Sequence, residues 1–212
     1  MAHREKPASP LIPKVAAGRI SRYLRYLEDL QGRGESTTSS QQLGTALGVT
    51  AAQVRKDLGY FGQFGFPGLG YKISNLIPEI QRILGTDRSW NVAMVGIGNL
   101  GNALLRYKGF AAHGFRIVAL FDANPKLLGR SVEGLTVHPV ENLGEMVREK
   151  HIELAVLSVP AQAAQEVANR LVRAGIRGIL NFAPVLLALP EDVAYVSIDL
   201  AVELEQLAFL VS

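Results

Sequence analysis

The sequence predicts an α/β protein with an N-terminal winged helix-turn-helix domain, a Rossmann-type domain built on a doubly wound parallel sheet, and a C-terminal helix. Three observations carry this. Residues 40–58 place apolar, small and turn residues at the spacing of a tight helical corner, and Gly96-Ile97-Gly98-Asn99-Leu100-Gly101 stands between a strand pattern and a helix pattern. Positive charge gathers on the first region: residues 1–85 hold 11 Lys/Arg against 6 Asp/Glu, and residues 86–212 hold 11 against 13. A basic domain joined to a slightly acidic one fits a chain whose first half approaches a phosphate backbone, although a solvated basic surface gives the same count. The expected domains are 1–85, 86–196 and 197–212.

In the first region, Pro13 suits a first helical turn, and Ile20, Tyr23, Leu24, Leu27 and Leu30 recur at three- and four-residue steps until Gly32 and Gly34 end the helix. Ser39 or Ser40 caps a second helix with Leu43 and Leu47 on one face, and Thr50 caps a third. Between them, Gly48 supplies a left-handed turn and Gly44 a close helix approach. On the third helix, Ala51, Val54 and Leu58 project inward, while Ala52, Gln53, Lys56 and Tyr60 project outward with Arg55 at the flank. Small residues at its start suit entry into a major groove, so Ser40, Thr50, Gln53, Arg55, Lys56 and Tyr60 are the candidate DNA contacts. Each also reads as part of a solvated polar face.

Residues 60–73 alternate aromatics with glycines around Pro67-Gly68 and predict a β-hairpin wing, adding Gly68, Tyr71 and Lys72 to the candidates. The tip, Phe66 to Leu69, is apolar; a minor-groove wedge and a partner-chain contact both suit it. Residues 74–85 close the domain as a helix.

The second region begins with a buried strand at 91–95, the glycine turn, and a helix from Asn99 to Tyr107 that directs Leu100, Leu104 and Leu105 at the sheet. Gly96 makes the tight turn, Gly98 admits a pyrophosphate, and Gly101 permits close packing of helix on strand. The helix N-terminus offers N–H groups to phosphates. A strand at 116–121 ends at Asp122, where a carboxylate can accept ribose hydroxyls and repel a 2′-phosphate, favouring NAD over NADP. Asp122-Ala123-Asn124-Pro125 also reads as an Asx turn. Strands at 154–159 and 178–181 flank a helix at 161–174; their exits place Pro160, Phe182 and Pro184 where a nicotinamide would lie, or serve as ordinary strand ends. The segment 198–211 is a helix apolar on all sides, suited to packing on its own domain or inserting into a partner subunit.

Composition excludes several functions. With no Cys there is no disulfide, thiolate metal site or thiol switch, and the four His show no metal-ligand spacing. No apolar run reaches a membrane-spanning length, and residues 1–14 are too polar for a signal peptide, so a cytoplasmic protein is expected. No Ser/Tyr/Lys, Cys/His or paired-carboxylate constellation accompanies the nucleotide fold, which points to a cofactor used as a signal and not to an enzyme.

Along essentially its whole length the chain resembles the Rex family of redox-sensing transcriptional repressors. The resemblance rests on Gln53-Val54-Arg55-Lys56-Asp57 through Tyr60-Phe61-Gly62, the turn from Gly68 to Tyr71, Gly96 to Gly101, Phe121-Asp122, Asn181-Phe182, and Ile198-Asp199-Leu200-Ala201-Val202-Glu203-Leu204. It implies a homodimer that binds double-stranded operator DNA when NADH is scarce relative to NAD and releases it as NADH rises. It also implies that the C-terminal helix is swapped between subunits for dimerisation and that Arg19, Tyr107 and Asp199 form a polar relay. The chain departs from the family at the wing tip, where Phe66-Pro67 stand in place of a frequent basic residue. An enzyme subunit using the same fold to bind a nucleotide or coenzyme A is the alternative; a purely structural DNA-binding protein leaves the glycine fingerprint unexplained.

Overall fold

A computed structural model describes residues 14–60, 62, 64 and 70–212. These divide after Arg88 into two compact units.

In the first unit, α1 (Lys14–Gly32) buries Ile20, Tyr23, Leu24 and Leu27 along one stripe. Helix α2 (Ser40–Leu47) is capped by Ser39: its Oγ accepts the Gln42 N–H at 3.1 Å, and Gln42 Oε1 accepts the Ser39 N–H at 2.8 Å. That reciprocal pair decides between the two candidate caps and leaves the Ser40 side chain for other work. Gly48 ends α2 at φ 68°, and a Cβ on Gly44 would stand 2.6 Å from the Val49 carbonyl oxygen, so both glycines are dictated by the corner. Thr50 Oγ1 then accepts the Gln53 N–H at 3.1 Å and starts α3 (Ala51–Gly59). Helix α4 (Ile73–Leu84) closes the core with Ile73, Leu76, Ile77 and Ile80.

The wing differs from the expected hairpin within residues 60–73. Strand β2 (Tyr71–Lys72) pairs antiparallel with β1 (Thr37–Thr38), which precedes α2, in the register Thr37↔Lys72 and Thr38↔Tyr71. Gly70, at φ 69°, makes this possible, because a Cβ there would overlap the Thr38 carbonyl oxygen. The apolar tip, Gly68 included, lies outside the described residues, as do Phe61, Gln63 and Pro13.

The second unit is a seven-stranded sheet. From β3 (Trp90–Val95) the chain passes through α5 (Asn99–Leu105) and the short α6 (Gly109–Ala112) to β4 (Phe115–Asp122). Strands β5 (Ser131–Val132) and β6 (Leu135–Pro139) follow, then α7 (Leu143–Glu149), β7 (Leu154–Leu157), α8 (Ala161–Ala174), β8 (Gly178–Asn181) and β9 (Ala194–Ser197). The order β5-β6-β4-β3-β7-β8-β9 is parallel except at the β5–β6 edge. Without β5, it is the doubly wound order, with its switch point between β3 and β7. Alternate residues of β3 serve opposite faces: Ala93 and Val95 join the core under α7 and α8, and Val92 and Met94 join a second cluster with Leu104 and Leu105. Leu100, expected to face the sheet, is exposed instead, because it lies in the first turn of α5, which leads away from the glycine turn. The expected strand 154–159 ends at Leu157, and β5, β6, α7 and β9 had no counterpart in the sequence reading.

Helix α9 (Leu200–Val211) is exposed at every residue, Phe209 and Leu210 by about four-fifths of their surface, so its apolar sides do not pack on the rest of its own unit.

Candidate functional site

Each unit carries a candidate site, and each is built from its backbone outward. In the sheet domain the glycine turn sits at the switch point. Gly96, at φ 92°, donates its N–H to the Phe121 carbonyl at 2.8 Å, and a Cβ on it would overlap the main chain of Ser158 at the end of β7. Gly101 is equally constrained, since its Cβ would overlap the Gly96 carbonyl oxygen and stand 2.8 Å from Ser158 Oγ. Ser158, which belongs to no motif in the sequence, donates from Oγ to the Gly96 carbonyl at 2.8 Å and so fastens the turn to the neighbouring strand. Gly98 is different: its backbone is ordinary at φ −70°, and among the described residues no atom beyond its chain neighbours lies within 4 Å of where its Cβ would be. That glycine answers no need of the fold. The cleared space and the exposed residues Gly98, Asn99 and Leu100 at the start of α5 fit a phosphate group approaching along the backbone.

Asp122 follows at the end of β4. Its Oδ2 accepts the Ile97 N–H at 2.7 Å and its Oδ1 accepts the Asn124 N–H at 2.7 Å. The Asx turn and the link to the glycine turn therefore coexist, and each oxygen keeps one lone pair for a ribose hydroxyl. The exits of β7 and β8 lie at the same end of the sheet. Pro160 caps α8 in an exposed position, Phe182 is half-buried in the cluster that holds Ile97, and Pro184 is exposed. Asn181, buried completely, shapes this exit: its Nδ2 donates to the Ala183 and Val185 carbonyls at 3.0 Å, and its Oδ1 accepts the Ala183 N–H at 2.9 Å.

In the helical domain, Lys56 and Arg55 are exposed on α3, and Arg55 Nη1 donates to Ser40 Oγ at 3.0 Å, which joins two candidate contacts from different helices. Thr50 is committed as the α3 cap, Tyr60 is half-buried at the end of the helix, and Lys72 is exposed on β2. Tyr71 is buried in the domain core, and burial pushes its phenol above the usual range; the period-two alternation of the strand turns it inward and Lys72 outward.

Gln53, expected to face outward, is half-exposed, and its Nε2 donates at 2.7 Å to Asp57 Oδ1, a carboxylate with no exposed surface for which the sequence analysis has no role. Arg19 grips that carboxylate with both prongs, Nε to Oδ2 at 2.6 Å and Nη2 to Oδ1 at 2.7 Å, and Tyr23 OH donates to Oδ2 at 2.8 Å. Burial alone would raise the Asp57 carboxyl, but the hydrogen bonds from Arg19, Tyr23 and Gln53 hold it below the ordinary value. Burial and the same carboxylate push Tyr23 up to about 12, and the bond to Asp57 raises Arg19 further. Position 57 sits between the inward-facing Val54 and Leu58, and an acid on a buried helix face demands a cation; that was the available signal.

Of the expected relay, Arg19 lies in the first unit and is paired with Asp57, whereas Tyr107 and Asp199 lie in the second. Tyr107 is largely exposed and meets Phe110 edge-on, and Asp199 caps α9 by accepting the Ala201 N–H at 2.9 Å.

A family model described as "CoA binding domain" matches residues 87–185, and one described as "Putative DNA-binding protein N-terminus" matches residues 11–59. The redox-sensing transcriptional repressor Rex of Carboxydothermus hydrogenoformans is 48% identical over 198 residues, spanning 93% of this chain and 95% of its own. The solved structure of RSP, a Rex-family repressor, in complex with β-NAD+ and operator DNA aligns at TM-score 0.90 and 37% identity, covering 95% of this chain and 93% of that one. RSP in complex with β-NADH aligns at TM-score 0.87 and 35% identity, covering 95% of each chain.

Proposed function

The chain belongs to the Rex family of redox-sensing transcriptional repressors, and on that premise we propose that it binds double-stranded operator DNA through its helical domain when NADH is scarce and releases it when NADH occupies the sheet domain. The observation that carries the reading is Gly98: the fold does not need a glycine there, and a nucleotide phosphate does. Gly96 and Gly101 shape the cradle, Asp122 receives the ribose hydroxyls, and Asp122 rejects a 2′-phosphate by like charge. The nicotinamide supplies the signal, being cationic when oxidised and neutral when reduced. Pro160, Phe182 and Pro184 offer it an apolar edge that favours the neutral ring, because a cation loses more hydration there.

On the DNA side, Arg55, Lys56, Gln53 and the Ser40 hydroxyl held by Arg55 face the major groove, with Lys72 on a phosphate. The functional unit is a homodimer in which α9 is swapped, and the exposure of α9 along its whole length supports this. Arg19, Tyr107 and Asp199 couple the two domains, and Asp57 is the group from which such a relay must draw Arg19. No chemical step is assigned to the chain, and it acts in the cytoplasm. Among the described residues no helix is long and apolar enough to cross a membrane, and no cluster of His, Cys, Asp or Glu suits a metal ion.

The test is a mobility-shift assay on a duplex selected from a random library, titrated separately with NAD, NADH and coenzyme A. Release by NADH alone is expected. The match of residues 87–185 to a coenzyme A binding model favours one second reading, which release or binding by coenzyme A alone would establish.

A further inference from the structure

The Asp57 carboxylate takes four hydrogen bonds, two at each oxygen: Arg19 Nη2 and Gln53 Nε2 on Oδ1, and Arg19 Nε and Tyr23 OH on Oδ2. A carboxylate only accepts, so its oxygens are fully engaged and it can hold Gln53 by one end alone, the amide nitrogen. The Gln53 side chain is thereby fixed in one of its two amide orientations. Its main-chain N–H is fixed as well, by Thr50 Oγ1 at 3.1 Å. Gln53 is the third residue of α3, half-exposed and flanked by the exposed Ala52.

An unrestrained glutamine turns its amide over at little cost, so it can offer either a carbonyl or an NH2 to a base edge. The restrained one cannot turn over: its nitrogen stays on Asp57 with one N–H spent there, and its carbonyl oxygen keeps its place. We propose that Asp57 is a positioning residue for sequence reading: by holding Gln53 through its nitrogen, it makes the Gln53 carbonyl oxygen the group that meets the major groove. Gln53 then selects a base that presents an amino group there, adenine N6 or cytosine N4, over guanine or thymine. Arg19 and Tyr23 belong to the device because they occupy the remaining acceptor positions of the carboxylate and stop it from rotating away.

The inference rests on α3 entering the major groove, and the experiment separates the two. The full chain, Gln53→Leu and Asp57→Asn are each used to select from a duplex library with a randomised core, and single-position affinities are then measured on the selected duplexes. Wild type is expected to favour an amino-bearing base at one position of each half-site by roughly three- to tenfold, the range of one net hydrogen bond. Gln53→Leu is expected to lose that preference and keep the others. An asparagine amide can donate as well as accept, so Asp57→Asn is expected to let the Gln53 amide turn over, erasing or inverting the preference at the same position only. The proposal is overturned if Gln53→Leu keeps the wild-type preference, or if Asp57→Asn weakens every duplex equally and leaves the order of bases intact. Should circular dichroism show Asp57→Asn unfolded, Gln53→Leu decides the matter. A wild-type chain with no sequence preference overturns the DNA reading itself.

Discussion

Asp122, at the end of β4, accepts the main-chain N–H of Ile97 at 2.7 Å and so joins the ribose end of the candidate nucleotide site to the glycine turn at its phosphate end. The carboxylate has two duties, one within the fold and one toward a ligand. Calorimetry on the wild-type chain should show NADH binding at least about tenfold tighter than NADPH, as like charges in a half-enclosed site require. Asp122→Ala should weaken NADH and narrow that gap. Equal affinities in the wild type, or an unchanged ratio in the variant, would remove Asp122 from the cofactor site.

The three fingerprint glycines should separate in their effects. Gly98→Ala should melt at the wild-type temperature without cofactor, because its Cβ meets no atom of the described residues beyond its chain neighbours, yet lose NADH affinity by more than about tenfold through contact with the phosphate. Gly101→Ala forces a Cβ against the Gly96 carbonyl and should cost about 1 to 3 kcal/mol of stability before any ligand is added. Thermal melts with and without NADH check both.

Arg19→Ala strands the buried Asp57 charge and should destabilise the helical domain by about 3 kcal/mol. Truncating both partners, Arg19→Ala with Asp57→Leu, should recover much of that loss, since the uncompensated carboxylate is the source of the penalty. Denaturant titrations give the comparison. A double variant less stable than Arg19→Ala would show that the contacts, not the charge, set the cost.

The same network fixes a pH response. Tyr23 holds its proton to about 12 in the folded chain, against an ordinary value of 10.0, so the unfolded chain gives up the proton first. Stability is fully present below pH 10, falls as pH rises from 10 towards 12, and Tyr23→Phe should flatten that fall. Asp57 works at the other end: its folded value lies below 3.8, and its contribution is lost as pH drops from there through the folded value.

Deleting residues 197–212 should convert a dimer into a monomer in sedimentation experiments, because α9 finds no cover on its own unit. The truncated chain should bind a selected palindromic duplex poorly, having lost the second half-site. A truncated chain that stays dimeric and still releases DNA on NADH addition would refute the role of α9.

What was legible in the sequence was what local chemistry decides. Gly48, Thr50 and the Leu43/Val54/Leu58 stripe give the helical corner directly, and Gly96 to Gly101 between two apolar segments gives the switch point. What was not legible depends on distant partners. The wing strand finds its mate at Thr37–Thr38, more than 30 residues upstream, where two residues carry no periodic signal. Strand β5 is equally short, and β9 is exposed at three of its four residues, so neither carries a buried-strand pattern. Gln53 projects outward on a helical wheel, yet one buried acid a turn later ties down its amide nitrogen, and that acid is understood only with Arg19, 38 residues away. Asx turn and ribose acceptor compete for Asp122 in the sequence, but a carboxylate has two oxygens and the turn uses one side of one of them.

The glycine cradle is locked by the Phe121 carbonyl on β4, by the main chain of Ser158 just beyond β7 and by the Ser158 hydroxyl. On the function proposed above, the phosphate end is thus preorganised, and it grips the oxidised and reduced dinucleotides alike. An equal grip on two ligands shifts no equilibrium between protein states, however tight it is. Discrimination must then arise wholly at the nicotinamide end, where Pro160 and Pro184 stand open to solvent. Where the pool is large enough to keep the site filled, competition between the two dinucleotides for one rigid anchor makes occupancy track their ratio and stay insensitive to the total.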